Sequence, residues 1–585
     1  MNCSKYTLIP IFFLLFSACI FSQEKKKIQI LHADAIDYDE ETLGKDIKRL
    51  VGNVKLMHED AIMDCDSAYF NSKENNVRAF SNIHINQKDS MHLYGDSLKY
   101  DGNKKLAEIR SNVRLLHDNS ELTTDSLNYD RNLNMAYYFD YGKIVDSVNT
   151  LESLHGYYYA DTKDYYAVDS VVLVNPDYTM YSDTLKYNTG SEISWFFGPT
   201  TIVSDSNLIY CENGWYNTRT DISQYNKNAY LKSTNQTLKG DSLYYDRRSG
   251  FGKAYINVEL TDTVENVILT GNYALYYEHP EHSLLTDSAV FMQISEGDTM
   301  FLHGDTLRYK TVPDTVRASY RVSVADYSHN DTLVILDTIH YSPDTLSFLF
   351  DSVPVPTDTL IIGYDSSFTY KLLYAYYRVK VYKTDLQAKC DSMVYTLKDS
   401  VIELHYEPVI WSDKNQLTAS YIELHTKNNK PYSILMNDLA FIISQEDTLR
   451  FNQIKGKNMV GWFRNDSLYK VDVTGNGQSV YYAKEKDEKT GKEKLVGVNK
   501  AEASRLIIYL KDNEPDKITF LSKPEGVMNP PEHLSPEELK LKDFIWLSIH
   551  RPLLKTDIFS WLGPSRSVVV VVIPEEDQPE ETEEE

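Results

Sequence analysis

The sequence predicts an all-β protein, an elongated antiparallel β-solenoid or folded-over sheet, and three observations carry that expectation. A short phrase recurs along most of the chain, each copy alternates apolar and polar residues, and Tyr, which favours strands, occurs 45 times in 585 residues. The phrase runs small residue, Asp, Ser or Thr, apolar residue, any residue, aromatic. Clear copies begin at Cys65, Gly95, Thr124, Ser182, Gly240, Thr286, Gly304 and Cys390. Gly95 follows Cys65 by 30 residues and Thr124 follows Gly95 by 29, so each unit is one supersecondary piece of that size.

Alternation within Gly95–Asp101 assigns Asp96, Leu98 and Tyr100 to one face and Ser97, Lys99 and Asp101 to the other. The second half of a unit alternates in the same way, as in Ala107–Leu115 and Lys253–Leu260. Asp101-Gly102-Asn103 and Asn188-Thr189-Gly190 supply turns. A lone strand pair cannot bury its apolar face, so the units must stack around a continuous interior of Leu, Val and Tyr. At ~4.8 Å per rung the stack would be on the order of 100 Å long, a length suited to bridging two places.

The small residue that opens each phrase marks a tight corner. Cys65, Cys211 and Cys390 sit at or beside that slot and read as small buried residues, not as disulfide partners or metal ligands. Recurrent Asp66, Asp96, Asp125, Asp183, Asp241 and Asp305 invite a calcium reading. Calcium solenoids use a G-G-x-G-x-D repeat that this chain lacks, so Asp and Ser are expected to satisfy turn amides instead.

Residues 1–23 read as a secretory signal: Lys5, an apolar run Leu8–Phe16, then small residues before Glu24. The run is too short for a spanning helix, and cleavage after Ser22 or Gln23 would leave a periplasmic protein. Lipidation at Cys19, with outer-membrane association, is the alternative, although Phe16-Ser17-Ala18-Cys19 is a poor lipobox. Residues 24–310 form a first repeat block and 373–512 a second. Between them, 311–372 is an insertion rich in Asp-Thr pairs and Pro, where the register is lost. In the extension 513–556, the capping box Ser535-Pro536-Glu537-Glu538 predicts a helix over about 536–550, capping the open end of the stack. Residues 557–585 are an acidic tail.

A net charge of −25 argues against nucleic acid or an anionic membrane held by charge. The 15 His are scattered, without metal-ligand spacing, and no P-loop, nucleophile elbow or dinucleotide fingerprint occurs. The expectation is therefore a non-enzymatic protein with no cofactor and no metal.

The units Gly95–Asp101 and Gly240–Asp246 and the phrase Gly52-Asn53-Val54-Lys55-Leu56 resemble the OstA-like family, whose LptA-type members are periplasmic lipopolysaccharide-transport proteins. Ser81–Ile85, Ser111–Leu115 and Ile256–Leu260 echo that phrase. The resemblance is close over about 30–310 and looser over 373–510. It implies a V-shaped, jelly-roll-like sheet whose apolar groove shields the lipid A acyl chains of lipopolysaccharide during transport to the outer membrane. It also implies inner- and outer-membrane transport components as partners, with end-to-end self-association. Such a groove needs no positive charge. The interior positions Leu98, Tyr100, Leu127, Tyr129, Leu185, Tyr187, Leu243 and Tyr245 are the candidate lipid-binding residues. Two other readings stay open. One is a structural stalk or envelope-assembly scaffold with a packed, dry core. The other is a β-helical polysaccharide enzyme, which should show a carboxylate cluster with aromatic sugar platforms that the regular repeat does not offer.

Overall fold

Turn chemistry and alternation produce a meander. Ile47–His58, Ala61–Asn71, Asn76–Gln87, Met91–Asp101, Leu106–His117 and Ser120–Asp130 follow one another, each pairing antiparallel with the next. The predicted turns close it: Asp101 Oδ1 accepts the Asn103 and Lys104 amides at 3.0 Å, and Asn188 Oδ1 accepts those of Gly190 and Ser191. This computed structural model describes residues 27–561 except 88–89, 206, 296, 325–333, 340–358, 428–429, 465–466, 487–492 and 512–513. The predicted signal peptide, Cys19 and residues 562–585 of the acidic tail lie outside the described residues. Two compact units divide the chain, one ending at Thr220 and the other starting at Asp221. The same pairing scheme runs within each.

Every long strand of the first unit's meander turns a corner at its middle. Between Leu106–His117 and Ser120–Asp130 the register passes from Arg110↔Ser126 to Val113↔Thr124, so Ser111 and Asn112 lie opposite the single residue Asp125. Ser111 and Asn112 have φ of 65° and 52°. Pairs with positive φ recur at Ser81-Asn82, Asp169-Ser170, Lys227-Asn228, Ile256-Asn257 and Tyr377-Arg378. Asn tolerates this left-handed conformation better than most residues. The Asp of the neighbouring strand then holds it: Asn53 Nδ2 donates to Asp34 at 2.9 Å, Asn82 to Asp66 at 2.8 Å, Asn112 to Asp96 at 2.6 Å and Asn257 to Asp241 at 3.1 Å. Asp66, Asp96 and Asp241 of the recurrent phrase thus accept a corner amide from the next strand, and Asp305 accepts the guanidinium of the corner residue Arg378.

The corner folds each strand so that its two halves belong to two facing walls with the apolar side chains between them. On Leu106–His117 the inward residues are Ala107, Ile109, Val113 and Leu115, each at most 3% exposed. On Met91–Asp101 they are Met91 and Leu93 before the corner and Leu98 after it. Alternation therefore changes phase at the corner, and Asp96 does not share the face of Leu98 and Tyr100 as the unbroken pattern predicted. It is exposed and occupied by Asn112. The small-residue slot lies just before: a Cβ on Gly95 would stand 2.4 Å from Ile109 Cγ2. Cys65, Cys211 and Cys390 are buried free thiols. Burial pushes Cys65 and Cys211 up to about 12, so both are neutral packing groups.

The antiparallel ladder does not stop at Thr311. Strands Thr306–Val324 and Thr359–Tyr382 stay paired from Thr306↔Tyr376 to Val322↔Thr359, and Val334–Ile339 pairs along the first of them. Within the expected insertion 311–372, residues 311–324 and 359–372 continue these two strands, while 325–333 and 340–358 lie outside the described residues.

The C-terminal helix expected over 536–550 is not formed. Ser535 and Glu538 do make their reciprocal bonds, at 2.8 and 3.3 Å, but after that turn the chain continues as turns and a short 3₁₀ segment, Ser548–His550. Buried glutamines of the sheet take its backbone groups instead. Gln453 accepts from Leu541 N and donates to Leu539 O, while Gln416 accepts from Leu547 N and donates to Ile545 O, all at 2.7–2.8 Å. The segment does not cap an end. It runs back along the second unit as a strap, reaching Gln387 through Arg551 and Lys380 through Asp557.

Beneath the strap, alternation gives way to residues buried on both faces, as at Val409-Ile410-Trp411 and Phe441-Ile442-Ile443. Leu534, Leu539 and Leu541 pack on Val480, Tyr482 and Val498.

Two outcomes test this scheme. N112A, which keeps a Cβ at positive φ but loses the bond, should destabilise its rungs by about 1–3 kcal/mol, and N112G by less. Hydrogen exchange of the amides in Met91–Asp130 reports both. Q416A orphans two buried strap groups and should cost about 2–4 kcal/mol, seen as faster proteolysis within 530–561.

Candidate functional site

The inner surface between the walls is the candidate site, and all eight sequence-predicted positions face it. Leu98, Leu127, Leu185 and Leu243 stand next to the corner and are at most 5% exposed. Two residues further on, toward the mouth where the walls end, come Tyr100, Tyr129, Tyr187 and Tyr245. Tyr129 is buried, while the other three keep part of their surface in solvent. The interior is packed along most of its length, and Leu127 and Leu185 are fully buried.

Polar bonds between the walls close the mouth. The Tyr100 hydroxyl and His58 Nδ1 share a 2.6 Å hydrogen bond, and Tyr158 and His117 repeat it at 2.6 Å. Tyr129 donates to Gln87 Oε1 at 3.1 Å. In the second unit Tyr309 donates to Asp262 and Tyr395 to Gln293. In the first unit the partner ends a return strand 41 or 42 residues before the tyrosine. Sequence reasoning found the tyrosines and missed these partners. Their signal is a polar residue, His58, Gln87 or His117, at the last inward position of an otherwise apolar half-strand.

Among the described residues, each unit contains a small apolar cavity. A cavity of about 40 Å³ is lined by Leu115, Leu122, Ile144, Leu173, Tyr158 and Tyr187. Another, of about 50 Å³, lies among Met300, Val381, Met393, Ile402, Ile410 and Leu424. Both linings are predominantly apolar, and burial raises the nearby phenols, Tyr158 and Tyr187 both to about 12. Among the described residues no three His, Cys, Asp or Glu side chains group to hold a metal ion.

Chemically the arrangement offers an apolar interior, a hydrogen-bonded mouth that Arg131 and Asp262 also enter, and buried thiols held protonated. It defines a class: a repeat β protein whose bent antiparallel rungs enclose apolar surface. Two overlapping stretches, residues 25–183 and 179–241, match the family model described as OstA-like protein, so this part of the chain is OstA-like. No curated protein matches the chain.

A pH titration checks the mouth. Folding holds the Tyr158 and Tyr187 phenols neutral, so their contribution is fully present below the ordinary tyrosine value of about 10 and is lost as pH rises toward about 12. Tyrosinate absorbance should show a late-titrating class of phenols, and Y158F should remove part of it.

Proposed function

We propose that this chain shelters the acyl chains of lipopolysaccharide between its two walls during transport to the outer membrane, as a periplasmic bridge or chaperone without catalytic activity. The OstA-like match supports the transport context. The observation that carries the reading is the inner surface itself, apolar between corner and mouth, with hydrogen bonds across the mouth at Tyr100–His58, Tyr129–Gln87 and Tyr158–His117.

An entering acyl chain exchanges wall-to-wall contact for wall-to-lipid contact, which is nearly even in apolar burial. Each methylene that leaves water contributes about 0.8 kcal/mol, whereas each latch bond contributes a net of about 1 kcal/mol. A chain of a dozen methylenes therefore outweighs several latches. The two cavities are the natural starting points, since the walls already stand apart there. Leu98, Tyr100, Leu127, Tyr129, Leu185, Tyr187, Leu243 and Tyr245 would contact lipid, with transport components of the two membranes handing it on. The edge strands Gln29–His32 and Ala35–Asp37 offer backbone for end-to-end pairing with a second copy.

The stalk reading draws on one observation, the near-complete burial of Leu127 and Leu185. A photo-crosslinking residue placed at Leu127 or Tyr187 in cells separates the two. Lipopolysaccharide adducts at these interior positions, increased by Q87L, are expected for a carrier. Folded protein without adducts at either position leaves the stalk.

A further inference from the structure

The outward face of the first unit carries a row that no periodic reading of the sequence brings together. Tyr137 pairs with Tyr157, Tyr157 with Tyr166, Tyr166 with Lys186, Lys186 with Trp195 and Trp195 with Trp215. Directly paired residues point to the same side of a sheet, so the six side chains form one line across six adjacent strands, about 24 Å long. Their chain neighbours Ala136, Tyr138, Ala167, Leu185 and Phe196 are buried, which places the row on the opposite, solvent side. All six are half-buried against one another. Phe139 and Phe197, at 46% and 48% exposure, widen the strip.

We propose that this strip is a binding platform for an uncharged or weakly charged glycan chain. Three features select that partner. The surface is Tyr and Trp, flat rings with a hydroxyl or an indole N–H, so it offers apolar faces to the C–H side of a pyranose and donors to its hydroxyls. It is also electrically balanced. Lys186 is the one cation of the row, it lies over the Tyr166 and Trp195 rings at 5.5 and 5.0 Å, and its Nζ is held 3.2 Å from Asp164. A strip so neutral, in a chain of net charge −25, recruits neither an anionic membrane nor a highly charged protein.

The third feature is the contrast within the chain. In the second unit the outward aliphatic residues Val409, Ile443 and Val480 are buried, Val480 beneath Leu534, Leu539 and Leu541 of the strap. At the same transverse position earlier in the first unit the row is Arg78, Lys99 and Glu108, an ordinary wet face. The aromatic stretch replaces that wet face with rings. One side chain per strand gives a spacing near the length of one sugar residue, so a glycan laid across the strands would meet a fresh side chain, a ring on five of the six strands, at each unit. The strip pairs no carboxylates for hydrolysis, since Asp164 is engaged by Lys186 and Asn188.

The test uses the full chain and, as probe, lipid-free polysaccharide released from lipopolysaccharide by mild acid, titrated by calorimetry. Binding is expected, with W195T and Y157T each weakening it by about tenfold or more while circular dichroism stays unchanged. K99A, on the wet stretch of the same transverse row, should leave it intact. Three results would overturn the platform: no heat at millimolar saccharide, binding unaltered in both strip variants, or binding of phosphatidylglycerol vesicles through the strip in place of the polysaccharide. Because the probe has no acyl chains, its failure leaves the interior lipid reading untouched, and absent interior crosslinks leave the platform untouched.

Discussion

The corner made by an Asn in left-handed conformation and an Asp on the preceding strand is the constraint on which the first unit most visibly depends. A flat strand of a dozen residues would bury one face only by finding a second sheet. By bending in its middle, each strand supplies both walls itself. The bend carries a backbone cost, offset at Asn53, Asn82, Asn112 and Asn257 by an amide-to-carboxylate bond. Stacking repeats the same contact rung after rung, and the small residue before each Asp lets the walls meet at the apex.

From that bend the distribution of polar groups follows. At the apex, the Asp and Asn lie outside the apolar interior and face water. At the mouth, Tyr hydroxyls meet His58, Gln87 and His117, because these are the last inward positions before the hairpin turns and would otherwise be unpaired at the rim. Between them the interior is nearly free of polar side chains, which suits a ligand that is itself apolar and indifferent to register. Each mouth bond joins only a few neighbouring rungs, so opening is a local event.

The second unit adds a different solution. Its wall under the strap is apolar outside as well as inside, and Gln387, Gln416 and Gln453 act as substitutes for a neighbouring strand by bonding backbone or a side chain of the strap. The strap is thus a final layer laid on by side-chain amides. The first unit leaves its aromatic outer strip open, and this difference between covered aliphatic and uncovered aromatic surface separates packing from recognition.

The all-β class, the turns at Asp101 and Asn188 and the inward placement of Leu98, Leu127, Leu185 and Leu243 were legible because each depends on a few consecutive residues and on the two-residue period of a strand. Family resemblance was legible for the same reason, since the recurring phrase encodes the corner. Asp96 was misassigned because alternation alone does not reveal where the backbone turns left-handed. The helix over 536–550 failed because local capping signals at Ser535 and Glu538 are worth little against buried glutamines and an apolar wall far away in sequence. The mouth bonds, 41 or 42 residues apart, and the aromatic row, spread over six strands, arise only when the rungs are in register. Sequence by itself determined the strand, its turns and its apolar side. Tertiary structure alone decided which distant side chains share a wall, a mouth or an outer row, because stacking fixes neighbours that no local backbone preference specifies.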